Sequence, residues 1–389
     1  MSKIKVNSLE GVGASTPAIT IDNTSGTCSA KLTNRTNKNL IINGAMQVAQ
    51  RGTSSTSSNY QTVDRFLTGI AVTNESPTTE QVDVASGTTP YTLGFRKAYK
   101  ITNGNQTSGA GAANNIYIMH KIEAQNMATS GWNYTSSSSF ITLSFWVKSS
   151  VAQNFYGYLK TVDGTSQRYA FETGSLSADT WTKITKTISG NSNLQFDNNN
   201  ERGLDVVIIP FWGTDQTDSG VPLNAWGAFS STTRTPDSTS TWYTTNDATF
   251  EVTGVQLEVG HGTDFEHRSF GDELARCQRY YFRFTTSFAG TNVGIGYQMT
   301  SSAAKIVIPF PTSMRTRPTA LETTGTASDY TVARTSTYEV CNAVPTFAGA
   351  SKEVANVNTN QTSASVNTGQ AVALRANTTD FFLGFSAEL

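Results

Sequence analysis

Charge is scarce in this chain. Only 15% of its 389 residues are Asp, Glu, Lys or Arg, against about 25% in an average protein, and 28 basic residues offset 29 acidic ones. A near-neutral chain lacks the basic footprint of a nucleic-acid binder or a polybasic membrane protein. Cysteine is scarcer still. Cys28, Cys277 and Cys341 are odd in number and far apart, which argues against a disulfide framework or a zinc site; they read as small buried hydrophobes. No run approaches the roughly 18 apolar residues of a membrane span. Met1 to Ser8 holds two lysines with no apolar core behind them, so no signal peptide is expected. The expected setting is a reducing cytoplasm.

Histidine is limiting too. His261 and His267 stand six apart beside Asp264 and Glu266, without the His-x-Glu or HExxH spacing of a metal site. His120 follows Tyr117-Ile118-Met119 and reads as a satisfied, partly buried residue. There is no GxSxG elbow, P-loop or GxGxxG turn. Carboxylate pairs for glycoside cleavage converge in space and not in sequence, and the 29 acids single none out. The expectation is a protein without catalytic chemistry and without a cofactor.

Hydroxyls and amides supply the polarity instead: 100 residues are Ser or Thr. Hydrophobic residues at 37% and 31 glycines are enough for packed cores. Phe140 to Val147 is rich in β-branched and aromatic residues. Trp181 to Ile188 alternates, with Trp181, Lys183, Thr185 and Thr187 on one side. Val206-Val207-Ile208-Ile209-Pro210-Phe211-Trp212 is nearly all apolar, as in a strand covered on both faces. Short strands between Ser/Thr/Asn-rich turns predict an all-β fold, a β-sandwich over residues 39–270. Residues 284–389 return to strands and predict a smaller distal β-domain, with the long polar stretches Thr323–Thr337 and Ala350–Thr368 as loops. One short helix is expected at the junction, capped by Asp272, with Leu274, Cys277 and Tyr281 as the buried stripe joining the domains. Residues 1–38 alternate at Ile4, Val6, Ile19 and Ile21 but cannot bury a core alone. That segment predicts an arm that docks on another copy or on another protein.

Aromatic rings pack on sugar faces, while Asn, Gln, Ser and Thr hydrogen-bond hydroxyls without charge. Trp146, Trp181 and Trp212 lie in strands and are expected in the core. Trp132, Trp226 and Trp242, the last beside Tyr243, sit in polar, loop-like sequence and are the glycan-binding candidates.

Asn39-Leu40-Ile41-Ile42-Asn43-Gly44-Ala45-Met46-Gln47, followed by Tyr60-Gln61-Thr62-Val63-Asp64-Arg65-Phe66, resembles the opening of a module common in bacteriophage tail-fibre and adhesin proteins. Val252-Thr253-Gly254-Val255-Gln256-Leu257-Glu258 and Gly271-Asp272-Glu273-Leu274-Ala275-Arg276 are similar to its close. Thr142 to Lys148 and Thr180 to Lys183 resemble paired sheet segments of jelly-roll carbohydrate-binding modules. The resemblance implies a jelly roll over 39–270 and a receptor-facing distal domain over 271–389. It implies a homotrimer anchored through residues 1–38 to other virion proteins. Its place would be the virion as a tail fibre assembled in the host cytoplasm, and its function attachment to host surface polysaccharide without nucleic acid or membrane insertion. A head-decoration or neck fibre with spacer modules and a polysaccharide depolymerase are the rival readings. Many such modules hold a structural calcium through an acid just before the last strand's Val-x-Leu. Here Thr253-Gly254 occupies that place, and Asp64 and Glu123 are the remaining metal candidates.

Overall fold

The computed structural model describes residues 6, 8–10, 19–21, 28–30, 37–335, 337–362 and 367–389. Three short arm strands, Ser8–Leu9, Ile19–Ile21 and Cys28–Ala30, pair antiparallel. Ile4 and most of the remaining arm lie outside the described residues.

Eight strands form a sandwich: β1 (Lys97–Thr102), β2 (Asn115–Glu123), β3 (Phe140–Ser149), β4 (Asn154–Thr161), β5 (Gln167–Ser175), β6 (Thr182–Ser189), β7 (Arg202–Trp212) and β8 (Thr249–Val259). One sheet runs β1-β8-β3-β6 and the other β2-β7-β4-β5. The first strand therefore pairs with the last and the second with the seventh, which is the winding of a jelly roll. Thr78–Asp83 and Ser54–Ser55 extend the first sheet; Phe66–Ala71 and Trp226–Ala228 extend the second.

Strand parity builds the core. Ile141, Leu143, Phe145 and Val147 of β3 face Val206 and Ile208 of β7 within one buried cluster. Val207, Ile209 and Trp212 point the other way and are also buried, under Val221, Leu223 and Phe229 from the following loop. This explains the continuous apolar run in β7. Pro210 lies in the register shift between Ile208 and Phe211, where a strand tolerates the missing donor.

The distal unit contains a closed six-stranded barrel: β9 (Asn292–Thr300), β10 (Ala303–Pro309), β11 (Tyr330–Ala333), β12 (Tyr338–Ala350), β13 (Val354–Gln361) and β14 (Ala371–Ala376), in the order β9-β10-β13-β12-β11-β14. Ile306, Ile308, Val332, Val357 and Leu374 fill it. The stretches expected as loops, Thr323–Thr337 and Ala350–Thr368, instead contribute β11 and β13 to its wall. Their inward positions include Val332, Val357, Thr359 and Gln361, all buried. A strand whose inward residues are partly Thr and Gln lacks the apolar alternation that marks one in sequence.

The junction helix spans Phe270–Gln278. Its cap is Ser269, not Asp272: the Ser269 hydroxyl accepts from the Asp272 N–H at 3.2 Å and donates to the Asp272 carboxylate at 2.7 Å. The first of these bonds satisfies an orphan N–H, and the second holds the capping hydroxyl in place. Cys277 and Tyr280 are buried against Ile42 and Val48, with Leu274 half-buried beside them. Tyr281 belongs to the next strand, Tyr281–Thr285, so the helix stripe ends at Cys277, and Tyr280 joins the same cluster from the turn that follows.

Candidate ligand-binding surface

The tryptophans expected to reach ligand are anchors. Trp242 and Tyr243 lie on the short helix Thr241–Thr244 and are 0% and 1% exposed. The Trp242 indole N–H donates to the Thr249 carbonyl at 3.0 Å, and Tyr243 stacks on Phe211 with centroids 4.3 Å apart. Trp132 is buried against Tyr134 and Phe196. Trp226 is half-buried on an edge strand, donates to the Ser189 carbonyl at 2.8 Å and packs on Tyr169. In a loop of Ser, Thr and Asn, an indole is the side chain with enough apolar area to hold the segment down. Polar neighbours therefore mark an anchor as readily as a binder.

Trp146 and Trp181, expected in the core, are instead half-buried on the outer face of the β1-β8-β3-β6 sheet. Phe145 and Val147 face the core, so the pleat turns Trp146 outward. Its register neighbours are Lys183 on β6 and Thr253 on β8. Trp181 stands just before β6, with the Lys148 ammonium 5.2 Å from its ring centroid. Tyr91 and Phe265 join the two indoles around buried Phe95 and Ala98.

Beside the rings runs a charge ladder. Lys148 lies opposite Glu251, Glu251 opposite Lys100, and Lys100 opposite Glu80. Lys148 and Glu251 approach to 2.9 Å, Lys100 and Glu80 to 3.0 Å. Paired cross-strand charges add little stability each, about 0.2–1 kcal/mol. They do hold donors and acceptors in fixed places next to an aromatic surface. Such a face offers ring stacking and hydrogen bonds to a polyhydroxylated ligand.

The metal candidates are spent within the protein. Asp64 is buried and accepts from the Gln50 backbone and side chain at 2.9 and 2.5 Å; burial raises its pKa to about 6, against the Gln50 bonds. Glu123 is fully buried and accepts from Arg279 at 2.8 and 2.9 Å, from Tyr280 and from Gln125. Burial raises its pKa, but the Arg279 and Tyr280 hydrogen bonds outweigh it and hold the carboxyl below its usual range. Among the described residues no three His, Cys, Asp or Glu side chains gather as metal ligands. Gly254, at the place where such modules carry an acid, has φ +63° and faces the Phe95 ring, whose nearest atom is 2.6 Å from where a Cβ would stand. That position has to be glycine.

His120 is fully buried and accepts from the Ile42 N–H at 3.3 Å; burial and the nearby Arg65 hold its pKa well below the usual value. His261 stacks on Phe140, and His267 meets the Leu93 carbonyl at 2.8 Å. A cleft of about 760 Å³ beside the junction helix holds Arg268, Arg276 and Arg279. Their guanidinium groups bond Asn39 and Glu266, Asn37, and Glu123 respectively, so the cleft is a structural seam. Among the described residues no helix is long and apolar enough to cross a membrane.

No protein-family model matches the chain, and no curated protein matches it. Among solved structures, the enzymatically active domain of tailspike protein 4 of bacteriophage CBA120 is similar at 8% identity and a TM-score of 0.30, over 57% of this chain and 21% of that one. A CBM4 structure is similar at 13% identity and a TM-score of 0.29, over 57% and 99%. The N-terminal cellulose-binding domain of a Cellulomonas fimi β-1,4-glucanase is similar at 8% identity and a TM-score of 0.26, over 56% and 100%. The fold described above rests on the strand pairing of this chain alone.

Proposed function

We propose that this protein is a non-catalytic attachment protein of a phage particle that holds host-surface polysaccharide on the Trp146–Trp181 face. The observation that carries the reading is the pair of half-buried indoles on the outer face of one sheet, beside a ladder of paired charges. In the same unit, Trp132, Trp212, Trp242 and Tyr243 are all buried, and half-buried Trp226 spends its indole N–H on the Ser189 carbonyl. A large aromatic kept out of an available core is a feature of binding surfaces. The virion role, the homotrimer and the anchor at residues 1–38 are supported by the resemblance carried by residues 39–66 and 252–281.

The test is a glycan array probed with the full chain, Trp146→Ala and Trp181→Ala. Each substitution is expected to weaken the strongest interactions roughly tenfold, the order of one lost ring contact. No release of reducing ends from the bound polysaccharide is expected. Binding unchanged in both variants removes this face from the proposal, and absence of any glycan binding makes the jelly roll a spacer. Release of reducing ends makes the protein a depolymerase.

A further inference from the structure

We propose that the outer face of the β2-β7-β4-β5 sheet is a second ligand surface, one that takes an anionic group, a carboxylate or a phosphate borne on a sugar. It lies on the sheet that does not carry Trp146, and it does not depend on the reading of that face.

The cations stand in register. Arg168 of β5 lies opposite Lys160 of β4, Lys160 opposite Asp205 of β7, and Asp205 opposite Lys121 of β2. Residues directly opposite share a face, and like charges so placed are destabilising. Arg168 and Lys160 are such a pair. The acid in the row is already taken, because Arg202 holds both Asp205 carboxylate oxygens. Arg234 reaches the same face from the loop after β7, its guanidinium 4.8 Å from the Trp212 ring centroid and 5.9 Å from that of Phe229. The row and these two arginines thus set five cations against one carboxylate. Glu388, which also acts on Lys121, pairs with Arg65. Glu172, farther along β5, lies opposite Tyr156 and accepts from Asn154.

The surroundings do not relieve this excess. Burial holds the Lys160 pKa below its usual value, and Arg202 and Arg234 add to the effect against Asp205. Lys121 is pushed down to about 8, by burial first and by Arg202 next. The Trp212 indole N–H and the Nε–H groups of Arg168 and Arg234 meet no acceptor among the described residues. A site with surplus donors and crowded cations favours a ligand that is negative and accepts only, such as a carboxylate or phosphate. Aromatic rings lie beside the charges. Trp212 packs on Tyr117 and Tyr158 with centroids 5.4 and 5.5 Å away, and the Lys160 ammonium stands 4.2 Å from the Phe229 centroid. Tyr117, Phe229, Lys160, Arg202 and Arg234 are all half-buried, so ring surface and charge are both open to a ligand. A sugar packs its apolar side on such rings. A neutral sugar would leave the opposed cations as they are; a uronate or a sugar phosphate meets both features.

Isothermal titration of the full chain with oligogalacturonate, with its neutral methyl ester and with inorganic phosphate tests this. The proteins are wild type, Lys160→Met, Arg234→Met and, as a control, Arg317→Met, which removes an exposed cation of the distal unit. The acidic oligomer is expected to bind, more weakly as salt rises, and the methyl ester to bind at least roughly tenfold more weakly. Lys160→Met and Arg234→Met are each expected to weaken the acidic oligomer roughly tenfold or more, the order of one lost charge-assisted hydrogen bond. The control is expected to match the wild type. Lys160→Met is also expected to melt no lower than the wild type, because it relieves Arg168; a cation kept for structure alone would lower the melt. Displacement of the oligomer by inorganic phosphate assigns the anion as phosphate, and binding that phosphate leaves in place assigns it as carboxylate. Equal binding of acid and ester, binding unmoved by both substitutions, or no binding of either oligomer or phosphate overturns the proposal. Neutral glycans on the array, compared between wild type and Trp146→Ala, report on the other face separately.

Discussion

Asp64→Asn should stabilise this protein, and only at pH values where the carboxylate of the unfolded chain is ionised. Asp64 is 2% exposed. Burial raises its pKa from 3.8 to about 6, opposed by the Gln50 hydrogen bonds and the Arg51 charge. Between those two values the native state holds a proton that the unfolded chain has released. Stability therefore falls as pH rises through that window. At about 1.36 kcal/mol per unit, the full loss is on the order of 3 kcal/mol by neutral pH. An asparagine removes the charge and keeps an oxygen to accept from the Gln50 N–H at 2.9 Å. The Gln50 amide stays as it is because it also donates to the Tyr281 carbonyl at 2.7 Å, so its bond to the second Asp64 oxygen is lost, which costs about 0.5–1.5 kcal/mol. The net gain at pH 7 is then about 1.5–2.5 kcal/mol.

Matched thermal melts of wild type and Asp64→Asn from pH 4 to pH 7 read this directly. The variant should match or fall slightly below the wild type near pH 4, overtake it through pH 5, and level off above the native pKa. Comparing the two proteins cancels the other carboxylates, such as Glu123 and Glu266, whose pKa values lie below the usual range. A difference that stays flat across pH would refute the reasoning, because it would mean that Asp64 is ionised in the native state throughout.

Other substitutions probe the remaining structure. Glu388→Gln leaves Arg65, whose side chain is 0% exposed, without its anion; this should cost about 3–5 kcal/mol, and Arg65→Met in the same chain should recover part of it in calorimetry. Trp242→Ala should cost about 3–5 kcal/mol while leaving glycan binding unchanged, a result opposite to that expected for Trp146→Ala. Gly254→Ala should cost about 2–4 kcal/mol in denaturant melts, through the left-handed backbone and the Phe95 ring. Leu274→Asp, at a half-buried position, should cost about 1–3 kcal/mol; an unchanged melt would remove Leu274 from the seam.

The jelly roll was legible because its strands carry their environment in their parity. Phe140 to Val147 and Val206 to Trp212 announce a one-sided and a two-sided strand, and β3 and β7 are those strands. The same parity already sorted the tryptophans. Trp181 alternates with Lys183, Thr185 and Thr187 on the polar side of its strand. Trp146 shares its parity with Thr142, Ser144 and Lys148. Composition is the poorer guide: a ring among Ser and Thr can anchor its loop, as Trp242 does, and a ring in a strand is buried at Trp212 but faces outward at Trp146. The barrel was less legible for a different reason. Thr359 and Gln361 are fully buried in β13, and a small closed barrel can fill part of its interior with polar side chains, which mimic a loop in sequence. The Ser269 cap was one turn-position away from the expected one because both residues belong to the same reciprocal hydrogen-bonded pair.

The seam between the two units decides what these surfaces can do together. The end of β2 is tied to the junction by Glu123, which holds Arg279 and Tyr280. Gln50 donates to the Tyr281 carbonyl at 2.7 Å. Arg315 donates to the Asn200 carbonyl of the jelly roll and to the Ala387 carbonyl of the distal unit, each at 2.8 Å. Arg65 pairs with Glu388 and lies 3.5 Å from the Tyr280 ring centroid. Each of these groups would be costly to leave unpaired in a dry interface. A small rotation between the units would break several at once, which makes the seam a clamp and not a hinge. The Trp146 face and the distal barrel are therefore held in one fixed relation.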